Sequence, residues 1–265
     1  MPRKSAKFLL PILTGILFLE LWQIIYLLLD ADHRFLVPAP WAVVTALQKE
    51  WPALSRAAFN TGKGALLGFA LAVAVSFTLA VLMAASRQVR TSLYPYLMIL
   101  QMTPVIVIAP LLVTHPWVGP GLPSVTAITF LICFFPLVVN TTQGLVSADR
   151  QLVELFRMYR ATRRQEMFLL RVPAALPYFF TGLRIAATLA PIGALVGDFT
   201  AGSSAGDGGG LGFRTLIYNS GAKYAALIAT AAVTCVLGFV LVGAVVVAAR
   251  LVLGRWHDSY ARKDD

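Results

Sequence analysis

The sequence predicts an all-α integral membrane protein with about six transmembrane helices, both termini on the cytoplasmic side and a long cytoplasmic loop in the middle. Three observations carry this. The 265 residues are 58% hydrophobic and only 13% charged, with a mean hydropathy of +0.76, whereas a soluble domain averages about 45–50% apolar and about 25% charged residues. Six stretches approach or exceed the ~20 apolar residues a bilayer-crossing helix needs: Phe8–Leu29, Thr61–Ala85, Leu93–Val113, Ser124–Val146, Leu176–Ala201 and Ala225–Leu253. The basic residues then segregate: with both termini inside, fifteen Lys/Arg fall in inside segments and six in outside segments. That bias is what the positive-inside rule requires. The net charge of +10 therefore sets topology and does not point to nucleic acid. The whole chain, residues 1–265, reads as a single transmembrane domain.

The first span is too long for a signal-peptide core and no Ala-x-Ala-like cleavage site follows, so it is expected to be a retained helix. Glu20 lies midway along it. Residues 30–60 form an outside segment with Pro38, Pro40 and Pro52. Its middle, Trp41–Trp51, has helical apolar spacing and a tryptophan at each end, which suits a short helix at the membrane interface. The third span contains Gln101, Thr103, Pro104 and Pro110; the fourth contains Pro136, then Asn140, Thr141, Thr142 and Gln143. Proline frees backbone carbonyls and polar side chains need partners in a dry core, so such helices pack inside a bundle or line a cavity. Gln101, Thr103 and Asn140 are candidates for a translocation path. The fifth span carries Arg184 and Asp198, and the glycine-rich outside segment Gly202–Gly221 follows it as a mobile or tightly turned stretch.

A charge in the bilayer core costs about 2.5–3.5 kcal/mol on insertion scales, which makes Glu20, Arg184 and Asp198 functional-site suspects. For Glu20 the alternative is a structural pair between helices; for Arg184, an internal hydrogen bond or snorkelling. For Asp198 it is capping an irregular turn. Glu20 and Asp198 join the candidate path or gate residues. Cys133 and Cys235 both fall in spans and read as small buried apolar side chains. The sequence has no CxxC pair and no metal-ligand spacing.

The central stretch Ser147–Pro173, SADRQLVELFRMYRATRRQEMFLLRVP, is the most patterned part of the chain. Leu152, Leu155, Phe156 and Tyr159 recur at i, i+3, i+4 and i+7 and share one helical face. Six arginines surround them. Thr162 with Gln165 three residues on has the form of a capping box, so a second short helix is expected there. Such a helix pair suits either anionic lipid headgroups or helix-in-groove docking to a cytoplasmic partner.

These residues resemble the membrane-spanning permease subunits of binding-protein-dependent ABC importers, whose loop has the pattern E-A-A-x3-G-x9-I-x-L-P. On that pattern Glu154 aligns with the glutamate, Leu155 and Phe156 with the alanines, Arg160 with the glycine, and Leu170, Val172 and Pro173 with I-x-L-P. Val37-Pro-Ala-Pro40, Gln101-Met-Thr-Pro104, Phe134-Phe-Pro-Leu-Val-Val-Asn140, Ile192-Gly-Ala-Leu-Val-Gly-Asp-Phe199, Gly210-Leu-Gly-Phe213 and Arg255-Trp-His-Asp-Ser259 extend the likeness. Together they look like the nitrate/sulfonate/taurine-type branch, with a run Leu183–Phe199 similar to permeases for pyrimidine, thiamine-precursor or riboflavin uptake.

The resemblance implies a bacterial inner-membrane location and a solute path shared with a second permease, either a copy or a close paralogue. It also implies two cytoplasmic ATPase subunits that hold ATP and Mg, and a periplasmic or lipid-anchored solute-binding protein. It implies ATPase coupling through Glu154, Leu155, Phe156, Tyr159, Arg160 and Pro173, and no cofactor on this chain. No G-x-x-x-x-G-K-[ST] motif is present, so no P-loop is expected. A bulky cation at Arg160, in the glycine position, predicts a departure from close backbone packing and a partner surface with space or acidic residues. Two other classes stand against this reading. Gly202-Ser-Ser-Ala-Gly206 fits G-x-S-x-G, but no histidine falls within a span. A stand-alone secondary transporter or channel would work without ATP. Substrates other than vitamin-related heterocycles, namely sulfonates, taurine, nitrate or aromatic acids, remain open on sequence.

Overall fold

A computed structural model describes residues 3–30, 32–202 and 209–253. Helix α1 (Arg3–Leu28) leads to α2 (Pro40–Ala85), a single helix of 46 residues. At 1.5 Å per residue α2 is roughly 70 Å long, more than twice a hydrocarbon core of about 30 Å. The expected separate interfacial helix is therefore corrected: Trp41–Trp51 is the first part of α2, continuous with the second span. Pro40 sits at the helix start, where its missing N–H is harmless, and Pro52 lies inside without ending the helix.

The third span is corrected as well. It is two helices, α3 (Arg87–Gln101) and α4 (Val105–Thr114), bent by 93° at Met102–Pro104. Pro104 disfavours helical backbone at Thr103 and cannot donate to the preceding turn, so α3 stops and α4 restarts beyond it. Among the described residues five helices are long and apolar enough to cross a membrane, and the bent pair is a sixth if it crosses as one. The remaining spans are α5 (Leu122–Val146), α8 (Val172–Ala201) and α10 (Tyr224–Leu253). Between α5 and α8 run α6 (Arg150–Met158), α7 (Arg163–Gln165) and a π-helical turn, Glu166–Arg171, that continues into α8. Within the glycine-rich stretch Gly202–Gly221, α9 covers Leu211–Ser220.

Helix α5 is the centre of the bundle, packed between α2 and α8. Two G-x-x-x-G pairs, Gly64/Gly68 on α2 and Gly193/Gly197 on α8, face the same two residues of α5, Val125 and Thr129. A Cβ at Gly193 would lie 2.9 Å from Thr129 Cα, and one at Gly197 would lie 2.7 Å from Val125 Cα. Helices in lipid gain no hydrophobic drive against one another, so small residues that let backbones approach are what hold them. Ser76 adds a hydrogen bond from α2 to the Phe134 carbonyl at 3.0 Å. Cys133 is buried on α5, as expected, but Cys235 on α10 is exposed in the chain. Helix α1 packs mainly on α2, and most of its apolar side chains stand open from Leu9 onward.

Candidate functional site

The loop between α5 and α8 is a chain of local caps. Asp149 accepts the N–H of Gln151 at 2.8 Å and starts α6. Along α6, Val153 is the buried residue, Phe156 is half-buried, and Leu152, Leu155 and Tyr159 are exposed, Tyr159 at 81%. Exposed apolar residues on one face of a nine-residue helix form an unpartnered ridge. Glu154 lies beside it, paired with Arg150 one turn back at 2.9 Å on the solvent side.

Helix α6 ends in a Schellman motif: Arg160 N–H reaches the Arg157 carbonyl and Ala161 N–H reaches the Phe156 carbonyl, both at 3.0 Å. The motif needs its C′ residue in the left-handed region, and Arg160 occupies it at φ 53°. The glycine position of the family pattern therefore keeps glycine's backbone conformation while carrying arginine. An L-residue held there costs about 1–2 kcal/mol. Thr162 and Gln165 then form the expected capping box, with Gln165 Oε1 accepting the Thr162 N–H at 2.8 Å.

Glu166 and Arg171 were not singled out from the sequence, because an i, i+5 pair does not share a face on an α-helix. In the π turn they meet. Arg171 donates to Glu166 Oε1 at 2.6 and 2.8 Å, and its third contact reaches the Leu145 carbonyl in the last turn of α5 at 3.3 Å. Both side chains are mostly buried. The loop is thus pinned at once to the end of α5 and the start of α8, where Pro173 occupies the first turn.

The opposite end of α8 holds a second constellation. Asp198 is 1% exposed. Thr61 of α2 donates to its Oδ2 at 2.5 Å, and Thr61 Oγ1 in turn accepts the Leu211 N–H at 2.8 Å. The backbone N–H groups of Leu211 and Gly212 also face the carboxylate. Helix α9 has no side-chain cap of its own; Asp198 supplies it from another helix, a negative group at the positive end of a helix dipole. Gly210 and Gly212 are glycines because a Cβ on the first would collide with the Asp198 carboxylate and one on the second with the Leu195 carbonyl. Asn60 donates to Gly209 O at 3.3 Å, and Tyr218 donates to Glu50 Oε2 at 3.0 Å. Burial and the Glu50 carboxylate push the Tyr218 hydroxyl up to about 12, so it stays a donor at neutral pH. Thr61 carried no site signal in the sequence, and Gly210 and Gly212 none beyond their place in the family-like run Gly210–Phe213.

The other candidate path residues are not gathered here. Asn140 donates to the Pro136 carbonyl of its own helix at 2.8 Å and lies against Gly182, sixteen residues before Asp198 and so about 24 Å away along α8. Gln101 is exposed at the end of α3, and Thr103 is half-buried at the bend. Glu20 and Arg184 are exposed in the chain, and among the described residues no ion pair engages either. Among the described residues, no group of acidic, histidine and cysteine side chains is arranged to hold a metal ion. The Gly202–Gly206 motif extends outside the described residues, and the Arg255–Ser259 run lies wholly outside them.

Residues 55–257 match the family described as the binding-protein-dependent transport system inner membrane component. The chain is 38% identical over 202 residues to the formylaminopyrimidine transport permease protein ThiX of Halalkalibacterium halodurans, covering 74% of this chain and 78% of that protein. It is 32% identical over 251 residues to the riboflavin transport system permease protein RibX of Chloroflexus aurantiacus, covering 93% and 89%. Its fold matches a crystal structure of an amino acid ABC transporter with histidines at TM-score 0.62 and 16% identity, over 78% of this chain and 97% of that one. The chain therefore belongs to the binding-protein-dependent inner-membrane transport family, as a multi-pass, non-enzymatic permease subunit, in a branch that also holds permeases named for nitrate and aliphatic sulfonates.

Proposed function

We propose that this single transmembrane domain, residues 1–265, lines the solute path of an ATP-driven importer together with a second permease copy or close paralogue. Two ATPase subunits, holding ATP and Mg, would dock on the loop between α5 and α8. That places the loop and both termini in the cytoplasm and a solute-binding protein on the other side. The observation that carries the reading is the α6 ridge: exposed apolar residues on a capped helix whose Arg157 lies 4.0 Å from Glu166, in a π turn that Arg171 ties to the last turn of α5 and that runs on into α8. A partner that moves α6 moves the two most closely packed helices together. A coupled machine needs such differential contact between its states. Pro173 begins the rigid lever, and Arg160 sets the turn that aims it.

The proposed cargo is a vitamin-related heterocycle of the pyrimidine, thiamine-precursor or riboflavin kind. The names of the two relatives above support it. In this reading Gln101, Thr103 and Asn140 belong to the path shared with the second permease, and Glu20 is completed at that same interface. Asp198 latches the outer end. Co-expression with candidate ATPase and binding-protein subunits, followed by reconstitution, tests it. ATP-dependent uptake of labelled formylaminopyrimidine, thiamine or riboflavin is expected. Uptake of taurine or nitrate instead would change the substrate, and uptake that survives ATP depletion would remove the importer mechanism.

A further inference from the structure

A pocket of about 600 Å³ lies where the end of α2 and the start of α3 meet the α7–π segment. It shares no lining residue with the smaller pocket beside the α6 ridge, so it is a separate surface. Five arginines line it, Arg87, Arg157, Arg163, Arg164 and Arg171, against a single carboxylate, Glu166. That carboxylate is already committed: Arg171 holds it at 2.6 Å and Arg157 lies 4.0 Å away. Among the described residues no carboxylate reaches Arg87, Arg163 or Arg164 within 4.0 Å.

The remaining walls have two characters. Val81 and Ala84 belong to the last turns of a membrane-spanning helix, and Met167 and Phe168 come from the π turn. The first residues of α3 complete the rim, which adds the positive end of a fifteen-residue helix to the arginines. Concentrated positive charge above an apolar wall, at the end of a spanning helix, fits a phosphate that carries acyl chains. Basic pockets between transmembrane helices take anionic headgroups for this reason, and guanidinium groups match phosphate oxygens in pairs.

We propose that this pocket binds the headgroup of an anionic phospholipid, with Arg87, Arg163 and Arg164 as its free cations. The site would tie the α2–α3 corner to the coupling loop, so lipid composition would tune how firmly that loop is held. The proposal stands apart from the importer reading, because it needs only that the α2–α3 corner lie at a membrane surface.

The test uses the full chain purified in neutral detergent. Native mass spectrometry would count phosphatidylglycerol retained per chain, with phosphatidylcholine as the neutral comparison. The R87Q/R163Q/R164Q variant, all at exposed positions, should lose phosphatidylglycerol retention about tenfold and leave phosphatidylcholine retention unchanged. A charge-matched control, K49Q/R56Q/R150Q, should keep wild-type retention. Equal loss in the control would reduce the effect to net charge and overturn the site. Displacement of the lipid by millimolar glycerol phosphate or inorganic phosphate would make it a soluble-anion site. Unchanged lipid retention with loss of a co-purifying ATPase would make it a protein-docking surface. Either result would overturn the lipid assignment.

Discussion

Two short helices flank α8, and they solve the same problem in opposite ways. Helix α6 begins on its own neighbour, Asp149, two residues before the amide it accepts. Helix α9 begins on Asp198 and Thr61, which come from two other helices. Their C-termini, by contrast, are alike. Each ends in a Schellman motif with a non-glycine residue in the left-handed region, Arg160 at φ 53° and Ala222 at φ 52°. The loop helix is complete in itself and leaves an apolar ridge open. The other helix is complete only when the bundle has closed around it. An element meant to be gripped by something else must hold its shape alone, whereas one that seals a bundle can depend on the bundle.

Asp198→Ala should break that contrast most severely. It removes the carboxylate from the buried Thr61 hydroxyl, which is left with the Ala57 carbonyl, and from the Gly212 amide, while the Leu211 amide keeps Thr61 Oγ1; a buried group left unpaired costs about 1–3 kcal/mol. A loss of about 2–4 kcal/mol is expected in thermal unfolding of the detergent-purified chain, with poor yield of monodisperse protein. Asp198→Asn keeps one acceptor oxygen and should lose less than half as much. If alanine unfolds no earlier than wild type, the tertiary cap is not holding α9.

At the loop, substitutions should weaken association and spare the fold. Phe156→Ala and Tyr159→Ala should each weaken ATPase retention and coupled ATP hydrolysis by about 2–4 kcal/mol if they are central anchors. Tyr159→Ala should leave the melting temperature of the isolated chain unchanged, since its side chain touches little. Wild-type ATP hydrolysis and assembly in both variants would place the docking surface off α6.

A smaller effect sharpens the comparison of the two caps. Asp149→Ala removes a local cap and should cost about 1 kcal/mol, with normal insertion and yield. A penalty as large as that of Asp198→Ala would mean the loop is not self-sufficient. Smallest of all, Arg160→Gly relieves the left-handed strain and should stabilise the α6 turn by up to about 1 kcal/mol, read as slower amide exchange at Ala161. Faster exchange would show that the arginine side chain, not the turn, holds that conformation.

Much of this was legible in the residues themselves. The membrane class, the approximate spans and the Thr162–Gln165 capping box follow from composition, periodicity and contacts three or four residues apart. The limits came where hydropathy was asked about continuity. Trp41–Trp51 has its own amphipathic pattern, so it reads as a separate helix, yet nothing in the backbone breaks α2 at Pro52. The third stretch is apolar enough to read as one span, although Pro104 marks the bend for anyone weighing the backbone above hydropathy. The two G-x-x-x-G pairs were also visible as spacing, but which helix they would grip was not.

By itself the sequence determined those features whose causes lie within a turn or two of chain: which segments are apolar, where the loop helices begin, and which face of α6 is left bare. Tertiary structure alone decided which groups became buried partners. Only packing turned Asp198 from a suspect charge into the cap of α9, and only the wider π turn brought Glu166 and Arg171 face to face. The reason is that a buried polar group is committed by whatever donors the fold delivers to it, and Thr61 stands 137 residues from Asp198 along the chain. Separation of that kind leaves no local pattern to read.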